Sequence, residues 1–328
     1  MKSLRHLSTV ALGLGAITIA AVAATAVHAE TYPSRPVRVV IPFSAGGAAD
    51  TPGRLMLNKL SDSVGQQFVV ENRPGAGSTI GAELVSKAPP DGYTLLMVSN
   101  THVISAALYK RLHYDALNDF TPVLQFGSAP NVLVVHPTLP VKSVKDLIAL
   151  AKAKPNKIDF ASSGNGSSQH LFMALFTSMA GIKMNHVPYK GSGQARTDLI
   201  SGYVSVGMPG ISSVIQHIEA GRLRALGVTG PHRAPELPKV PTIAEAGVPG
   251  YEATLWLGFL GPKGLPADVV STLNADVSKV LKSKDIQAQF SRIGTEIVYR
   301  GPEQWGQYVR SEAQKWAKVV KQTGARVN

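Results

Sequence analysis

The stretch VRVVIPFSAGGAAD, residues 37–50, decides the fold of this chain. Its first half, residues 37–43, is apolar and rich in β-branched side chains, which predicts a buried strand. The glycine pair that follows predicts a turn, and the next residues are typical of a helix start. Because Pro52 lacks an N–H, it must lie in the first helical turn, and we expect Asp50 or Thr51 to cap that helix.

This turn has the properties of an anion-binding site. The first N–H groups of a helix have no partner within it, and the helix dipole places a partial positive charge behind them. The expected donors are the backbone N–H groups of Gly46, Gly47, Ala48 and Ala49. The alternative is that the glycines only permit the turn. Asp50 is expected to cap or order the turn, because its carboxylate would repel an anion.

The N-terminal segment, residues 1–29, is predicted to be a cleaved signal peptide. Lys2 and Arg5 form a positive region, residues 7–27 are apolar or small without charge, and VHA at 27–29 is a small-residue cleavage site. The alternative is an uncleaved membrane anchor, because the apolar run is nearly long enough to span a bilayer. No later stretch is long and apolar enough to do so. We therefore expect a soluble protein exported to a bacterial periplasm.

Composition excludes several classes of function. The chain has no cysteine, which excludes disulfides, thiolate metal sites, a cysteine nucleophile and a lipid-modified cysteine. Its formal net charge is +12, but lysine and arginine are scattered, and aromatic residues make up only 6% of the chain. Without a dense basic run, that charge indicates a solvated basic surface or anionic small ligands rather than nucleic acid. We predict no nucleic-acid partner.

Apolar β-branched runs alternate with helical patterns along most of the chain. This alternation predicts an α/β fold with mainly parallel sheets. Ser143 and Asp146 resemble a capping box with Asp in place of Glu, which predicts a helix start. Residues 268–281 and 302–320 are expected to form the closing helices.

The length of 328 residues favours two domains over a single core. Breaks in the pattern near residues 125–131 and 249–254 indicate two crossings between them. We predict that residues 30–129 and 254–328 form a discontinuous first domain, and that residues 130–253 form the second. A chain that leaves one domain and returns makes a hinged cleft, which is a favoured ligand site.

A second glycine-rich turn, SSGNGSSQH at residues 162–170, follows another predicted strand. Hydroxyl and amide groups at a helix start suit a carboxylate, and the candidates are Ser163, Ser167, Ser168 and Gln169. The turn lacks the third glycine of a dinucleotide fingerprint and the lysine of a P-loop. The alternative is a solvated capping loop.

Two further loops are weaker candidates. The segment HVPYKGSGQ, residues 186–194, has another glycine–serine turn and adds Ser192, although a structural Tyr–Pro corner is an open alternative. The segment VENRPGAG, residues 70–77, contains Arg73 and could also bind an anion. We favour packing and a turn as the role of that loop.

No catalytic or metal-binding pattern is apparent. The histidines after residue 29 are dispersed, and the chain has neither a His-Glu-x-x-His motif nor a Gly-x-Ser-x-Gly elbow. His170 is expected to pack or hydrogen-bond at a helix start. We predict no catalytic residues, no metal and no cofactor, although a Ser–His–Asp set brought together by the fold is left open.

A series of motifs resembles the solute receptors of the tripartite tricarboxylate transporter family, the Bug-type extracytoplasmic receptors. They are YPSRP at 32–36, PF at 42–43 with GG at 46–47 and Asp50, VENRPGAG at 70–77, PDGYTLL at 90–96, GSSQHL at 166–171, HVPYKG at 186–191, AGRLRAL at 220–226 and VPTIAEAG at 240–247. The resemblance covers essentially the whole chain after residue 29.

The resemblance implies a two-domain periplasmic-binding-protein fold of the type II Venus-flytrap kind. Such a receptor closes on a small carboxylate and delivers it to integral membrane transporter subunits, and we predict that it acts as a monomer. By analogy, one ligand carboxylate lies near Phe43 and Ala48, and Ser163, Ser167 and Ser168 close on it, with Thr101 as a further contact. The predicted ligand-binding set is Phe43, Ser44, Gly46, Gly47, Ala48, Thr101, Ser163, Ser167, Ser168, Gln169, Ser192 and Pro209.

One departure from the family pattern concerns the ligand. Where family members usually have Met-Phe-Asp, this chain has Gly207-Met208-Pro209. Without that aspartate, we expect an apolar wall and an aromatic or dicarboxylic ligand rather than an α-amino acid. The alternatives for function are a ligand-sensing co-receptor of a signalling system and a periplasmic hydrolase or isomerase.

Overall fold

The computed structural model describes residues 32–323, so the predicted signal peptide lies outside the described residues. Strands and helices alternate along most of this length. The strands are β1 Val37–Ile41, β2 Phe68–Asn72, β3 Thr94–Val98, β4 Phe120–Pro130, β5 Val132–Val135, β6 Asp159–Ser162, β7 Asn185–Pro188, β8 Val206–Gly207, β9 Arg224–Val228, β10 Thr254–Pro262 and β11 Glu296–Arg300. The helices are α1 Asp50–Val64, α2 Thr79–Ser86, α3 Thr101–Leu108, α4 Val144–Ala153, α5 Ser168–Ala180, α6 Ser192–Ser201, α7 Ile211–Glu219, α8 Ala267–Leu281, α9 Lys284–Arg292 and α10 Pro302–Thr323.

The strands form two sheets of mixed direction. The first has the order β11-β4-β10-β3-β1-β2 and the second has the order β7-β6-β8-β5-β9. Neighbours β1, β2 and β3 pair in parallel, as do β6, β7 and β8. Strands β4, β10 and β11 pair antiparallel, and β5 runs antiparallel to β8 and β9. The prediction of mainly parallel sheets is therefore wrong, because the chain adds antiparallel strands where it leaves and re-enters the first sheet.

Strand β4 was not predicted, although it is the longest strand of the structure. Its Gly127, Ser128 and Pro130 are typical of a loop, but β4 pairs with β10 from Phe120 to Pro130. Gly127 has a packing reason: a Cβ there would lie 3.2 Å from Thr295 Cγ2. Glycine in this strand thus permits the close approach of the segment that leads into β11.

Two connections join the sheets, one of a single residue and one that spans residues 229–253. The chain passes from β4 in the first sheet through Asn131 to β5 in the second, and it returns to the first sheet at β10. Helix α10 lies against both sets of elements, since Trp316 stacks on Phe172 of α5 at a centroid distance of 5.6 Å. Buried Glu312 accepts hydrogen bonds from the indole N–H of Trp256 at 2.9 Å and of Trp316 at 2.8 Å.

Several local predictions are confirmed. Ser143 caps α4, with its hydroxyl accepting a hydrogen bond from the Asp146 N–H at 3.1 Å. The closing helices α8 and α10 lie where their patterns indicated, whereas α9 was missed. No helix between residues 32 and 323 is long and apolar enough to cross a membrane.

Candidate functional site

A cavity of about 530 Å³ lies where the ends of strands and the starts of helices from both sheets converge. It is lined by the β1–α1 turn, residues 74–78 before α2 and the start of α3. Residues 163–165 and 167–169, before and within α5, and residues 190–192, before and within α6, complete the lining. Asn131, between the two sheets, also lines it. Elements far apart in sequence therefore contribute to one site.

Most of the residues predicted from the sequence line this cavity. They are Phe43, Ser44, Gly47, Ala48, Thr101, Ser163, Ser167, Ser168, Gln169 and Ser192. The structure thus brings together the turn after β1 and the turn after β6, which the sequence marked separately.

Two predicted residues do not line the cavity. Gly46 is exposed, and its N–H donates to Asp50 Oδ2 at 2.9 Å, so it is not a free donor. Pro209 is buried, and its carbonyl accepts a hydrogen bond from the Val132 N–H at 2.9 Å. Met208 is also buried away from the cavity lining, so the expected apolar Met208–Pro209 wall is absent from it.

Asp50 holds the β1–α1 turn in shape. Its side chain is almost fully buried and accepts hydrogen bonds from the Gly46 N–H, from Arg54 Nε at 2.9 Å and from Asn72 Nδ2 at 2.8 Å. Asn72 Nδ2 also donates to the Phe43 carbonyl at 2.9 Å. Asp50 therefore orders the turn, which is one of the two roles that the sequence predicted for it. The capping alternative is wrong, because α1 begins at Asp50, and its N-cap residue, Ala49, makes no side-chain cap.

The turn leaves two backbone donors unused. The Gly47 N–H donates to the Ser44 carbonyl at 3.3 Å, so it is partly satisfied. Within the described part of the chain, the N–H groups of Ala48 and Ala49 have no hydrogen-bond partner. Both residues line the cavity at the start of α1, where the helix dipole favours negative charge. The predicted anion site thus retains two of its four proposed donors.

The turn after β6 is built around Ser167 and His170. Ser167 caps α5, since its hydroxyl oxygen accepts a hydrogen bond from the His170 N–H at 3.3 Å. That hydroxyl keeps its own proton for a second bond. The Gly166 N–H donates to His170 Nδ1 at 3.2 Å, and Gly166 has a φ of 76°, a conformation that favours glycine. His170 therefore stabilises the backbone of the loop that precedes α5.

His170 stacks on His186, with ring centroids 4.0 Å apart and an interplanar angle of 6°. Burial lowers the pKa of His170 to about 4. Burial, together with the neighbouring His170, lowers the pKa of His186 to about 3. His186 Nε2 lies 2.6 Å from the Ser162 hydroxyl, which also bonds to Gly164. Two neutral imidazoles therefore fix the base of the loop at neutral pH.

The charge of the cavity lining is positive. Lys190 is the only lysine, arginine, histidine, aspartate or glutamate among the described residues that line it. The described residues also contain no cluster of three or more histidine, cysteine, aspartate or glutamate side chains that could hold a metal ion. With the starts of α1, α3, α5 and α6, several hydroxyls and one ammonium, the cavity is suited to an anion.

Sequence reasoning missed part of the lining. Residues 74–77 line the cavity with Ser78, although the loop was expected to serve packing, and Arg73 pairs with Glu71 instead of entering the cavity. Ala76 and Ser78 have left-handed φ values of 44° and 75°, which is a strained conformation for residues other than glycine. Such strain depends on tertiary contacts, so no local pattern could reveal it. Tyr109, Asn131, Lys190 and Leu255 were also missed.

The two sides of the cavity approach each other closely at one edge. A Cβ on Gly210, which follows β8, would lie 3.0 Å from the Ala48 Cβ. A Cβ on Gly191 would lie 3.8 Å from the Ser44 hydroxyl, and one on Gly47 would lie 3.9 Å from the Ser192 hydroxyl. Because these positions are glycines, the β1–α1 turn can approach residues 191–192 and Gly210 closely at this edge of the cavity.

Comparison with known proteins agrees with this geometry. The family model described as tripartite tricarboxylate transporter family receptor matches residues 53–325. The chain belongs to this family. The receptor is 38% identical over 329 residues to Protein BugT of Bordetella pertussis, with 100% of each chain covered.

Solved structures of family-like proteins superpose well on the receptor. R. palustris Rpa4515 with adipate has a TM-score of 0.85 at 38% identity, covering 90% of this chain and 100% of that one. MatC (Rpa3494) from Rhodopseudomonas palustris with bound malate has a TM-score of 0.81 at 32% identity, covering 88% of this chain and 100% of that one. The receptor therefore has the two-domain periplasmic-binding-protein fold, the Venus flytrap, with a cleft between the domains.

The double role of Ser167 gives a testable prediction. Ser167→Ala removes the cap of α5, so we expect the free energy of unfolding to fall by about 1 kcal/mol. If the hydroxyl proton meets a carboxylate, ligand binding also weakens by about 1–2 kcal/mol, which calorimetry measures. Ser143→Ala is the matched control, because Ser143 caps α4 outside the cavity lining. The control should lose stability and keep affinity; equal affinity in both variants would exclude Ser167 from the binding site.

Proposed function

We propose that this chain is a periplasmic receptor that captures a small carboxylate and delivers it to the integral membrane subunits of a tripartite tricarboxylate-type transporter. The single observation that carries the proposal is the cavity itself: among the described residues, its lining combines unpaired helix-start amides, serine hydroxyls and Lys190, with no carboxylate. Oriented amides and hydroxyls bind carboxylates without any chemical step. Export by the predicted signal peptide, residues 1–29, belongs to the same proposal.

The proposed ligand is a dicarboxylic or aromatic acid rather than an α-amino acid. An ammonium group buried in this cavity would face Lys190 and several helix starts, with no acidic side chain among the described lining residues to balance it. This preference was first expected from an apolar Met208–Pro209 wall, which does not line the cavity. The support for it is the lack of acidic side chains among the described lining residues. Adipate and malate, bound by two structural relatives, are dicarboxylates and suit the same chemistry.

In this proposal, each domain contributes one wall of the site. The turn after β1 gives the amides of Ala48 and Ala49, and the turn after β6 gives Ser163, Ser167 and Ser168. Residues 30–129 with 254–328 and residues 130–253 are the proposed domains, which would close on the ligand as a monomer. Bridging waters can extend the amide contacts to ligands of different length.

A thermal-shift screen of the protein from residue 30 tests the proposal. The panel contains adipate, malate, succinate, 3-phenylpropionate, aspartate and glutamate. An acid at a hundred times its Kd should raise the stability by about 2.7 kcal/mol, which is a clear shift in Tm. Stabilisation by aspartate or glutamate alone would contradict the proposed ligand class. No response to any carboxylate would contradict the proposed function.

Lys190→Gln tests the charge of the site within the same screen. Because Lys190 is exposed, its contribution is modest, and we expect about a threefold loss of affinity for dianions that shrinks as salt is added. Lys183→Gln is the matched control, since Lys183 is exposed in the same region of the chain but does not line the cavity. Equal effects of the two substitutions would mean that only the overall charge matters.

A further inference from the structure

Gly210 lies where an element of the second sheet meets the anion-binding turn of the first. It follows β8, directly precedes α7 and is buried. A Cβ on Gly210 would lie 3.0 Å from the Ala48 Cβ. Apart from residues 209 and 211, no other heavy atom of the described chain would lie within 4 Å of it. Carbon atoms of two side chains pack best about 3.5–4.0 Å apart, so a side chain at position 210 would collide with Ala48 alone.

The backbone at this position does not require a glycine. Gly210 has a φ of −63° and a ψ of 140°, an extended conformation that other residues adopt without strain. It is also the N-cap residue of α7 and makes no side-chain cap there, although serine, threonine, asparagine and aspartate are preferred at such positions. The absence of a side chain is therefore explained by the approach of Ala48 and not by the local fold.

Neither side of this contact is free to move by itself. The turn that carries Ala48 is held by the hydrogen bonds of the buried Asp50 carboxylate. On the other side, the Pro209 carbonyl accepts a hydrogen bond from the Val132 N–H at 2.9 Å, which ties the residue before Gly210 to β5. A side chain at position 210 would therefore be accommodated mainly by moving the two sheets apart.

We propose that Gly210 is a positioning residue for ligand binding, because its lack of a side chain sets how closely the halves built on the two sheets can approach each other. Gly210 does not line the cavity, so it acts through Ala48, whose N–H is one of the unpaired donors of the anion site. A separation of about 0.5–1 Å would stretch the hydrogen bonds that we assign to Ser163 and Ser167 out of their favourable range. The inference rests on the proposed function, since it concerns the same ligand.

Gly210→Ala and Gly210→Ser test the proposal by calorimetry with the acids of the thermal-shift panel. For each acid that binds the unaltered protein, we expect both variants to bind about tenfold more weakly. Without ligand the halves can separate, so urea unfolding should show Gly210→Ser to be as stable as the unaltered protein or slightly more stable, because serine can cap α7. A merely structural effect would lower stability and affinity together.

Gly193→Ala is the matched control for the added methyl group. Gly193 also lies at the start of a helix, α6, but a Cβ there would have no heavy atom within 4 Å, and the residue does not line the cavity. This variant should keep the affinity of the unaltered protein. A loss equal to that of Gly210→Ala would mean that the effect does not arise at the contact with Ala48.

Ala48→Gly supplies the decisive comparison. It removes the Cβ that a side chain at position 210 would meet, and it keeps the backbone N–H of the anion site. In the Ala48→Gly background, Gly210→Ala should cause no further loss of affinity, whereas in the unaltered background it should cost about tenfold. A defect confined to α7 would appear equally in both backgrounds.

The outcomes separate the two proposals. Unchanged affinity in Gly210→Ala, or the same loss in both backgrounds, would overturn the role of Gly210 while the carboxylate receptor stands. A large loss of stability in the ligand-free Gly210 variants would overturn it as well, because the collision is expected only when the halves meet. Binding of none of the acids to the unaltered protein would overturn the receptor proposal and this inference with it.

Discussion

Asp50→Ala is expected to lower the free energy of unfolding by about 2–3 kcal/mol and to weaken ligand binding more than tenfold. The side chain is nearly fully buried, and its carboxylate accepts from the Gly46 N–H, Arg54 and Asn72. Removing it leaves these donors without their acceptor at the end of β1. The stability cost is moderated because Arg54 is 41% exposed and can be solvated.

The binding loss follows from the geometry of the turn. Asp50 and Asn72 together hold residues 43–46, since Asn72 also donates to the Phe43 carbonyl. Once this bracing is lost, the amides of Ala48 and Ala49 no longer converge on one point, and preorganised donors account for much of the affinity of an anion site. Asp50 does not line the cavity, so it acts through the turn as a positioning residue.

Urea unfolding and calorimetry measure the two effects separately. Asp62→Ala is the matched control, because Asp62 lies on the same helix and is exposed. Asp50→Asn keeps the shape but loses the charge, so its stability and affinity should lie between those of Asp50→Ala and the unaltered protein. If Asp50→Ala behaves like Asp62→Ala in both measurements, the turn does not depend on this carboxylate.

The parts of the site that the sequence predicted are local patterns. The turns at residues 43–49 and 163–168 each follow a strand and lead into a helix within one short stretch, so glycine, serine and helix-start rules suffice to mark them. The Ser143 cap was predicted for the same reason. What these patterns could not give is which turns face each other, because that depends on pairings between strands distant in sequence.

The parts that were missed or wrong depend on tertiary contacts. Pro209 was placed in the site because it stands where family members usually have an aspartate. In the structure its carbonyl accepts a hydrogen bond from the Val132 N–H, and the residue is buried in the interior. Gly127 is typical of a loop in the sequence. In the structure it lies in β4, where a glycine permits the close approach of Thr295. Asn131 was not predicted to line the cavity, because its place there depends on how β4 and β5 pair within two different sheets.

Acidification is expected to destabilise the protein well before most carboxylates titrate. Burial lowers the pKa of His102 and of His170 to about 4, and burial with the adjacent His170 lowers the pKa of His186 to about 3. In the unfolded chain a histidine has a pKa of about 6.5. The unfolded state therefore binds more protons than the folded state below about pH 6.5, and stability falls as the pH is lowered from there towards 4.

The size of the effect follows from the pKa differences. Between pH 7.5 and pH 5, a fully buried histidine such as His102 should cost about 2 kcal/mol of stability, and the less deeply buried His170 and His186 should each cost less. We expect a total loss of about 3–5 kcal/mol in the free energy of unfolding over this range. Urea unfolding at the two pH values measures it directly.

His170→Asn combined with His186→Gln should reduce this pH dependence. In the first substitution, the amide oxygen of the new side chain can replace Nδ1 as the acceptor of the Gly166 N–H. In the second, the new amide can replace Nε2 beside Ser162, and neither amide titrates. The exposed His232→Asn is the control and should leave the pH dependence unchanged. The readout is the difference in the free energy of unfolding between pH 7.5 and pH 5. A loss of stability that is the same at both pH values, caused by the smaller side chains, therefore does not affect it.

A proton on the histidine stack should also disturb the loop that carries Ser163, Ser167 and Ser168. His170 Nδ1 already accepts the Gly166 N–H, so a second proton on that ring must displace this bond. A charged ring would then lie 4.0 Å from the His186 ring at the base of the loop. If the double variant keeps the full difference in stability between pH 7.5 and pH 5, the stack is not the origin of the acid sensitivity. His102 and His217, whose pKa values burial also lowers, must then account for it.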